Sequence, residues 1–433
     1  MNPLEVQPQS RVPRGVVRVA SDKSITQRAV LLAAAAEGRS ELRGPLDAQD
    51  TRAVRAAAQK LGARIEDQRG AWIVEGVGRA GFDRGSPRNP IELDLRNSGT
   101  GARLLLGLLG GQGVCARITG DESLRRRPMA RVVAPLRAMG VRCDAAAQDR
   151  LPITIDSRPP LRPFRGEIDV ASAQVKSAIL LAALEADGSS EVREPEKSRD
   201  HTERMLPVFG VPVKVGERSA ELEGPAALHA AELAVPADPS SAAFFAAIAA
   251  LYPGSEITFP DLLANPLRTA FFGVLERMGA HVEWRDRCLR HGEMVGTCTV
   301  RGDDLRGVEL SGQDIPSVID ELPVLAVLAA LARGETVVRN AGELRVKESD
   351  RIEAMEQGLS AMGADFESLP DGFRIRGGKH LSGARIATRL DHRIAMAHVV
   401  AALRARTPTR LDDRDCIDVS YPDFLRDLLS LWE

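Results

Sequence analysis

Two kinds of helical pattern alternate along this chain of 433 residues. In the first kind, small and apolar residues occupy almost every position, which is typical of a helix that is covered on all sides. In the second kind, apolar residues recur at helical spacing, and the segment ends in a phrase of the form hydrophobic-Gly-small-hydrophobic. Short apolar runs follow both kinds of helix and predict β-strands. The pattern therefore predicts a mixed α/β chain.

Both patterns repeat, which makes the repeat the first feature to interpret. The glycine phrase occurs at Gly62, Gly140, Gly210, Gly279 and Gly363. The apolar helix occurs in QRAVLLAAAAEGRSEL, ARLLLGLLGGQGVCARI, KSAILLAALEADGSSEV, AAFFAAIAALYPGSEIT, LPVLAVLAALARGETVV and RIAMAHVVAALRARTPTRL. Each repeat predicts a strand, a buried helix, a strand, an amphipathic helix and further strands. The chain end cuts the last copy short.

The repeats and a break in composition together predict two domains. Three repeats can wrap their strands around a helical centre, and the segment VPADPSSAAF at residues 235–244 separates the first three copies from the last three. The alternative is a linear solenoid, which the length of the repeats and their individually different loops make less favourable. The chain is long enough for two cores.

Composition narrows the class of function. The net charge of −2 and the scarcity of aromatic residues give no basic field and no stacking platform for nucleic acid. The five cysteines show no CxxC spacing, which predicts neither disulfides nor a zinc site. No apolar run is long enough to span a bilayer, and no hydrophobic signal region opens the chain. We expect a cytoplasmic protein that binds neither membrane nor nucleic acid.

Residues with chemistry collect where the apolar helices begin. In the first half these residues are cations, hydroxyls and amides: Lys23, Ser24, Thr26 and Arg28; Asn97, Gly99, Thr100 and Arg103; Arg125, Arg126 and Arg127; Ser172, Gln174 and Lys176; Arg199 and His201. Cations are unfavourable at a helix N-terminus unless an anion binds there, and exposed amides at that end attract anions. We expect Ser24 and Thr26 to cap the first helix, and we assign no catalytic role to His201.

The second half adds acids to the cations. Asp320 and Glu321 precede one apolar helix, Lys347, Glu348 and Arg351 follow it, and Asp391, His392 and Arg393 begin the last one. If residues 347–351 are helical, Lys347 and Arg351 share a face. The sequence has no GxGxxG, no GxxxxGK[ST], no nucleophile elbow and no metal-ligand spacing. Cations mixed with acids predict acid/base chemistry on a small phosphorylated and carboxylated substrate.

Eight phrases, in this order, resemble the 5-enolpyruvylshikimate-3-phosphate synthases of the enolpyruvyl transferase family. They are SDKSITQRA, NSGTGAR, GDESLRRRPM, SAQVKSA, SRDHTERM, IDELPVLA, RVKESDRI and DHRIAMA. The resemblance implies a two-domain inside-out α/β barrel in which each domain contains three βαβαββ units. One domain would span residues 23–240, and the other would combine residues 1–22 with 241–433. The active site would lie in the cleft between them, which closes over the ligands.

The resemblance also implies a reaction and a set of residues. Phosphoenolpyruvate would give its carboxyvinyl group to the 5-hydroxyl of shikimate 3-phosphate through a tetrahedral intermediate, in a monomer without metal or organic cofactor. The implied catalytic residues are Asp320 as base, and Glu348 with Lys23 at the methylene carbon. The implied shikimate 3-phosphate ligands are Lys23, Ser24, Arg28, Ser172, Ala173, Gln174, Asp320 and Lys347. The implied phosphoenolpyruvate ligands are Lys23, Gly99, Arg127, Gln174, Arg351 and Arg393, and the additional candidates are Asn97, Thr100, Ser198 and Arg199.

Three positions depart from the family pattern. Val419 stands where some members have a lysine, Ala173 where some have serine, and Ser21 where many have glycine. Asp22, which follows Ser21, has no functional explanation in the sequence. Gly99 is retained, so the family's inhibitor glyphosate is expected to bind.

Two other functions are weighed against this one. The related UDP-N-acetylglucosamine enolpyruvyl transferases need a loop cysteine before an Arg-Pro pair, whereas Cys115 lies in the strand-like GVCARITG and predicts a buried structural thiol. A non-catalytic binder of phosphorylated metabolites would not place Asp320 and Glu348 among its cations.

Overall fold

The computed structural model describes residues 2–79 and 81–432, and the strands and helices in these residues follow one repeated order. The strands are β1 (Leu4–Val6), β2 (Arg14–Val16), β3 (Glu37–Arg43), β4 (Arg64–Gln68), β5 (Ala71–Val77), β6 (Ile91–Asp94), β7 (Ala116–Thr119), β8 (Arg142–Ala146), β9 (Arg150–Asp156), β10 (Arg165–Glu167), β11 (Gly188–Arg193), β12 (Lys214–Val215), β13 (Ser219–Gly224), β14 (Glu232–Ala234), β15 (Glu256–Leu263), β16 (His281–Arg290), β17 (Glu293–Arg301), β18 (Glu309–Leu310), β19 (Glu335–Val338), β20 (Asp365–Leu369), β21 (Gly372–Arg376), β22 (Arg385–Ile386) and β23 (Thr409–Leu411).

The helices are α1 (Lys23–Ala35), α2 (Gln49–Lys60), α3 (Gly99–Gln112), α4 (Glu122–Arg126), α5 (Ala130–Met139), α6 (Ala173–Ala183), α7 (His201–Met205), α8 (Pro239–Leu251), α9 (Ala270–Met278), α10 (Ile315–Val318), α11 (Leu322–Leu331), α12 (Arg351–Ala361), α13 (His392–Leu403) and α14 (Phe424–Leu429). Short 3₁₀ helices lie at Ala147–Asp149, Leu206–Phe209, Gly312–Asp314, Gly342–Val346 and Asp415–Val419. None of the described helices is both long and apolar enough to cross a membrane.

The chain forms two compact units. The first unit comprises Ser21–Val235 and the short segment Leu289–Glu293. The second unit comprises the chain up to Ala20, Pro236–Cys288 and the chain from Met294 onward. No sequence pattern predicted that Leu289–Glu293 would belong to the first unit.

The repeats share one sheet topology. In the order β6-β7-β9-β8, the strand before the buried helix runs parallel to the strand after it, and the remaining two strands add antiparallel. The orders β10-β11-β13-β12 and β18-β19-β21-β20 repeat this arrangement. The predicted α/β fold built of βαβαββ units is therefore confirmed.

Short distant strands complete the sheets of each unit. In the first unit, β14 pairs in parallel with β3, which returns the end of the unit to its first repeat. In the second unit, β2 pairs in parallel with β15, and β1 pairs antiparallel with β23. A linear solenoid would not bring its last strand back to its first repeat, so the strand pairing excludes that alternative.

The apolar helices lie at the core of each unit, as their sequences predicted. They are α1, α3 and α6 in the first unit, and α8, α11 and α13 in the second, and nearly all of their residues are buried. Small residues let them pack closely: a Cβ on Gly107 of α3 would lie 2.1 Å from the carbonyl oxygen of Ala178 in α6. Such backbone contact explains the glycine-rich sequence of α3.

A second set of glycines fixes four of the sheets against the ends of their buried helices. An added Cβ on Gly76 or Gly224 would lie 2.2 or 2.3 Å from a carbonyl oxygen at the C-terminal end of α1 or α6. Gly302 and Gly377 meet α8 and α11 in the same way, at 2.3 and 2.1 Å. By contrast, the glycines that end the amphipathic helices were predicted, and their φ values lie between +87° and +114°.

Candidate active site

The three buried helices of the first unit begin with side-chain caps. Asp22 Oδ1 accepts from the Ile25 amide at 2.8 Å, Ser98 caps α3, and Ser172 caps α6. The expectation that Ser24 and Thr26 cap α1 is wrong, because the Thr26 hydroxyl lies inside the helix and donates back to the Asp22 carbonyl. A carboxylate at the first N-terminus offsets the macrodipole. Capping is therefore the role of Asp22.

Polar side chains connect these helix starts to one another. Gln27 in α1 donates to Ser98 at 2.9 Å, and Gln174 in α6 donates to Thr100 in α3 at 2.9 Å. Arg103 in α3 donates to Gln174 at 2.8 Å. The predicted residues Thr100 and Gln174 thus belong to one hydrogen-bonded layer, and Ala173 opens α6 beside them.

Arg28 is buried in α1 and is held by three oxygen atoms. Its Nε donates to Thr202 Oγ1 at 2.9 Å, its Nη2 to Ser177 Oγ at 3.1 Å, and its Nη1 to the Ser24 carbonyl at 3.1 Å. These three contacts fix the orientation of the guanidinium. Neither Thr202 nor Ser177 was identified from the sequence, since a hydroxyl within a helix is a common feature.

Lys23 opens α1 and forms an ion pair with Asp50, which no sequence pattern singled out. Its Nζ lies 3.0 Å from Oδ2 of Asp50, which is buried in the first turn of α2. Asp50 therefore offsets part of the cost of a cation at a helix N-terminus. Its only sequence signal is an acid in a first turn, which is common.

Gly99 lies where two arginines approach the start of α3. A Cβ at this position would lie 2.7 Å from Arg127 Nη1 and 3.0 Å from Arg103 Nη1. Arg127 also donates to Asn97, whose amide donates to Asp121 at 2.7 Å. We call Lys23, Arg28, Arg103 and Arg127 the cationic cluster. Of the three adjacent arginines, Arg127 is buried, and Arg125 and Arg126 are exposed.

A buried ion cluster supports the loop that contains Ser198 and Arg199. Lys176 Nζ lies 2.6 Å from Glu194 and 2.7 Å from Glu203, and Ser198 donates to Glu194. Burial opposes the charged form of Lys176, but the two carboxylates outweigh it and raise the pKa of the ammonium. Burial also raises the pKa of Glu203. The half-buried Arg199 follows Ser198 in this loop.

His201 begins α7 and has a structural environment. Its Nδ1 lies 2.6 Å from Oε1 of Glu293, and both side chains are buried. Cys115 is also buried, directly before β7, and burial raises the pKa of its thiol.

In the second unit, a buried arginine and aspartate organise the starts of α12 and α13. Asp391 caps α13 by accepting from the Arg393 amide at 2.9 Å, and it also accepts from Arg351 Nε at 2.9 Å and from Ser349 at 3.0 Å. Burial would raise the pKa of Asp391, but the charge of Arg351 outweighs it and holds this pKa below its ordinary value. The same interaction raises the pKa of Arg351 despite complete burial.

The predicted base Asp320 lies between two cations. Its Oδ1 is 3.5 Å from Lys347 Nζ and 3.5 Å from Arg351 Nη1. Arg351 also holds Glu348, with 2.6 Å between Nη2 and Oε2. The condition for a shared helix face of Lys347 and Arg351 is not met, since α12 begins only at Arg351. The two side chains nevertheless reach the same carboxylate from a turn and from a helix start.

Arg393 completes this group. Its Nη1 donates to the main-chain carbonyl of Asp320 at 2.6 Å and lies 3.4 Å from Oε1 of Glu321. We call Asp320, Lys347, Glu348, Arg351, Asp391 and Arg393 the mixed-charge cluster. Val419, at the position where lysine was expected, ends a 3₁₀ helix and is half-buried. The predicted site residues thus form two sets, one in each unit.

Known proteins of one family are similar to this chain over nearly its whole length. The family model described as EPSP synthase (3-phosphoshikimate 1-carboxyvinyltransferase) matches residues 6–428. A 3-phosphoshikimate 1-carboxyvinyltransferase of Anaeromyxobacter sp. (strain K) is 48% identical over 95% of this chain and 92% of its own length. One from Chelativorans sp. (strain BNC1) is 42% identical over 98% of this chain and 95% of its own length.

A solved structure gives the same result for the fold. The EPSP synthase of Acinetobacter baumannii matches with a TM-score of 0.87 and 36% identity, covering 100% of this chain and 98% of its own.

Proposed function

This chain belongs to the EPSP synthase family, the 3-phosphoshikimate 1-carboxyvinyltransferases, and we propose that its cationic cluster binds the substrate anions while its mixed-charge cluster moves the protons. The enzyme transfers the carboxyvinyl group of phosphoenolpyruvate to shikimate 3-phosphate and releases phosphate. This reaction belongs to the shikimate pathway of aromatic amino-acid biosynthesis. The observation that supports the assignment of roles is the different balance of charge: the cationic cluster consists of four cations, of which Lys23 pairs with Asp50, whereas the mixed-charge cluster contains three acids and three cations.

The reaction needs a proton acceptor at the attacking hydroxyl. In the proposed mechanism, Asp320 takes the proton of the 5-hydroxyl while the hydroxyl oxygen bonds to C2 of phosphoenolpyruvate. A second proton is added to the methylene carbon of phosphoenolpyruvate in the same addition. Elimination then breaks the C–O bond to phosphate and removes a proton from the new methyl group. Lys347 and Arg351, each 3.5 Å from Asp320, favour its charged form as the base requires.

Glu348 is proposed to act with Lys23 at the methylene carbon. Its bond of 2.6 Å to Arg351 fixes one carboxylate oxygen, Oε2. The carboxyl group of Glu348 can then give a proton to the methylene carbon in the first step and accept one from the methyl group in the second. A positioned acid or base of this kind contributes about a hundredfold or more to rate.

Shikimate 3-phosphate is proposed to bind mainly to the first unit. Its proposed ligands are Lys23, Ser24, Arg28, Ser172, Ala173 and Gln174, with Asn97, Thr100, Ser198 and Arg199 as further candidates and with Asp320 and Lys347 from the second unit. The buried and oriented guanidinium of Arg28 supports this assignment, because charge-assisted hydrogen bonds to phosphate are strong when the donor is already in place. Ala173 has no hydroxyl to offer, so its contact is through the backbone at the start of α6.

Phosphoenolpyruvate is proposed to bind to Lys23, Gly99, Arg127, Gln174, Arg351 and Arg393. Gly99 supports this assignment, since its missing side chain leaves room beside Arg127 and Arg103. Arg351 already bonds to Asp391 and Glu348, so we expect Arg127 and Arg393 to contribute more of the affinity. Glyphosate is proposed to occupy the same site.

Phosphate release from phosphoenolpyruvate tests the proposed substrate pair. We expect turnover with shikimate 3-phosphate and none with UDP-N-acetylglucosamine; turnover with the UDP-sugar alone would contradict the proposal. The position of Cys115, buried before β7, also differs from the loop cysteine that the UDP-sugar reaction needs.

We also propose that the enzyme is a cytoplasmic monomer that becomes more compact with both ligands bound. The free thiols of all five cysteines support a reducing compartment. Sedimentation gives the mass, and small-angle scattering gives the radius of gyration with and without both ligands. A stable dimer, or a radius that ligands leave unchanged, would contradict the corresponding part of this proposal.

A further inference from the structure

A buried chain of polar side chains leads to Arg393 from the starts of two other central helices. Glu321 directly precedes α11 and is 3% exposed. Its Oε1 accepts a hydrogen bond from Ser240 Oγ at 2.5 Å and lies 3.4 Å from Arg393 Nη1. From sequence, Glu321 had only the general role of an acid near a helix N-terminus.

The chain continues beyond Ser240 to a second buried ion pair. Arg268 Nη2 donates to Ser240 Oγ at 3.1 Å and lies 2.5 Å from Oδ1 of Asp238. Asp238 in turn caps α8 by accepting from the Ser240 amide at 2.8 Å. All of these side chains are buried or nearly so, and no water-exposed path is needed to connect them.

The charges along this chain alternate in sign. Asp238 and Glu321 are acids, and Arg268 and Arg393 are cations, so each buried charge has an opposite neighbour. Removing one member of such a chain leaves its neighbour buried and uncompensated, which costs more than the lost bond itself. The arrangement therefore links the orientation of Arg393 to groups that lie behind it.

We infer that Glu321 is a positioning residue that fixes the guanidinium of Arg393 for phosphoenolpyruvate, with Ser240 and Arg268 holding Glu321 in place. This inference rests on the proposed role of Arg393. Arg393 Nη1 then has two fixed acceptors, the Asp320 carbonyl and Glu321. Because a long side chain loses rotamer freedom when it binds a ligand, orienting it beforehand increases affinity.

Substitution of Glu321 tests the inference through the two substrates separately. In Glu321→Gln we expect the KM for phosphoenolpyruvate to rise about tenfold or more, and the Kd for shikimate 3-phosphate alone to change less than about twofold. Glu321→Asp should recover part of the loss, and Ser240→Ala should give a smaller rise in the same direction. A purely structural role would instead lower the melting temperature and leave the two substrate constants unchanged, which would overturn the inference.

Two controls separate this inference from the proposed function. Glu185→Gln changes a buried glutamate of the first unit that pairs with Arg79 at 3.0 Å, and it should leave the KM for phosphoenolpyruvate unchanged. Arg393→Met tests the proposed function itself by removing the charge. If Arg393→Met leaves that KM unchanged, the role of Arg393 is wrong; if Arg393→Met raises it and Glu321→Gln does not, only the role of Glu321 is wrong.

Discussion

The cationic cluster and the mixed-charge cluster use the same structural element in opposite ways. Both include residues at the starts of buried helices, where unpaired amides favour negative charge. In the first unit, Arg28 donates to hydroxyl and carbonyl oxygens of Thr202, Ser177 and Ser24. In the second, Arg351 is held by the carboxylates of Asp391 and Glu348. The first arrangement suits binding of a phosphate from outside, and the second suits a carboxylate that must remain charged.

Removing an acid from the mixed-charge cluster should therefore lower kcat more than it weakens substrate binding. In Asp320→Asn we expect kcat to fall about a thousandfold, because the amide cannot accept the hydroxyl proton, while the Kd for shikimate 3-phosphate changes only a few-fold. The measurement is steady-state phosphate release together with calorimetric binding.

The matched control for Asp320→Asn is Asp314→Asn, which changes a partly exposed aspartate of the same unit that pairs with Arg277. This control should keep full activity. Retention of normal kcat in Asp320→Asn would show that the two clusters do not divide binding from proton transfer as we propose.

Removing a cation from the cationic cluster should weaken the binding of a substrate anion. In Arg28→Met we expect the KM for shikimate 3-phosphate to rise about a hundredfold, roughly 2.7 kcal/mol, since a phosphate loses a buried and oriented guanidinium. The KM for phosphoenolpyruvate should change much less. Arg125→Met, which changes an exposed arginine of the same unit, is the control. An equal rise in both KM values would mean that Arg28 maintains the structure instead of recognising one ligand.

The sequence predicted the repeated fold because its signals are local. A helix of small apolar residues must be buried, and a glycine in KLGARI or RMGAHV accepts the left-handed conformation found at Gly62 and Gly279. The closing strands β1, β2 and β14 have only three residues each, and their partners lie far along the chain. No local pattern specifies such pairing, so the sheets could not be completed from sequence.

The candidate site likewise contains residues that could be identified from the sequence and residues that could not. Lys23 and Arg28 stood out because cations at a helix start conflict with the dipole, whereas the role of Asp320 as base came from the resemblance to the enolpyruvyl transferase family. Asp50 and Thr202 could not be identified, since each meets its partner only through tertiary structure. The assigned chemical roles of the site residues stay predictions.

Gly99 offers a milder perturbation of the cationic cluster. In Gly99→Ala the new Cβ would lie 2.7 Å from Arg127 Nη1 and must displace the end of that flexible side chain. We expect the KM for phosphoenolpyruvate to rise about tenfold with little loss of stability, and glyphosate to bind more weakly. Gly273→Ala in α9 is the control, because an added Cβ there meets no atom within 4 Å. Unchanged phosphoenolpyruvate kinetics would place this substrate away from Gly99.

The smallest expected effect concerns pH, and it has opposite signs in the two units. Burial raises the pKa of Glu203 above the ordinary glutamate value of 4.5, so the stability that its protonated form contributes is lost as pH rises from that value through the folded pKa. The pKa of Asp391 lies below 3.8, so its contribution is present above that value and is lost as pH falls through the folded pKa.

Relative to wild type, Glu203→Gln should gain free energy of unfolding as pH rises above 4.5, and Asp391→Asn should recover free energy of unfolding only as pH falls below 3.8. Urea denaturation across this range measures both differences, with the exposed Glu217→Gln as control. Differences of the same sign would mean that burial does not dominate the pKa of Glu203, or that Arg351 does not dominate the pKa of Asp391.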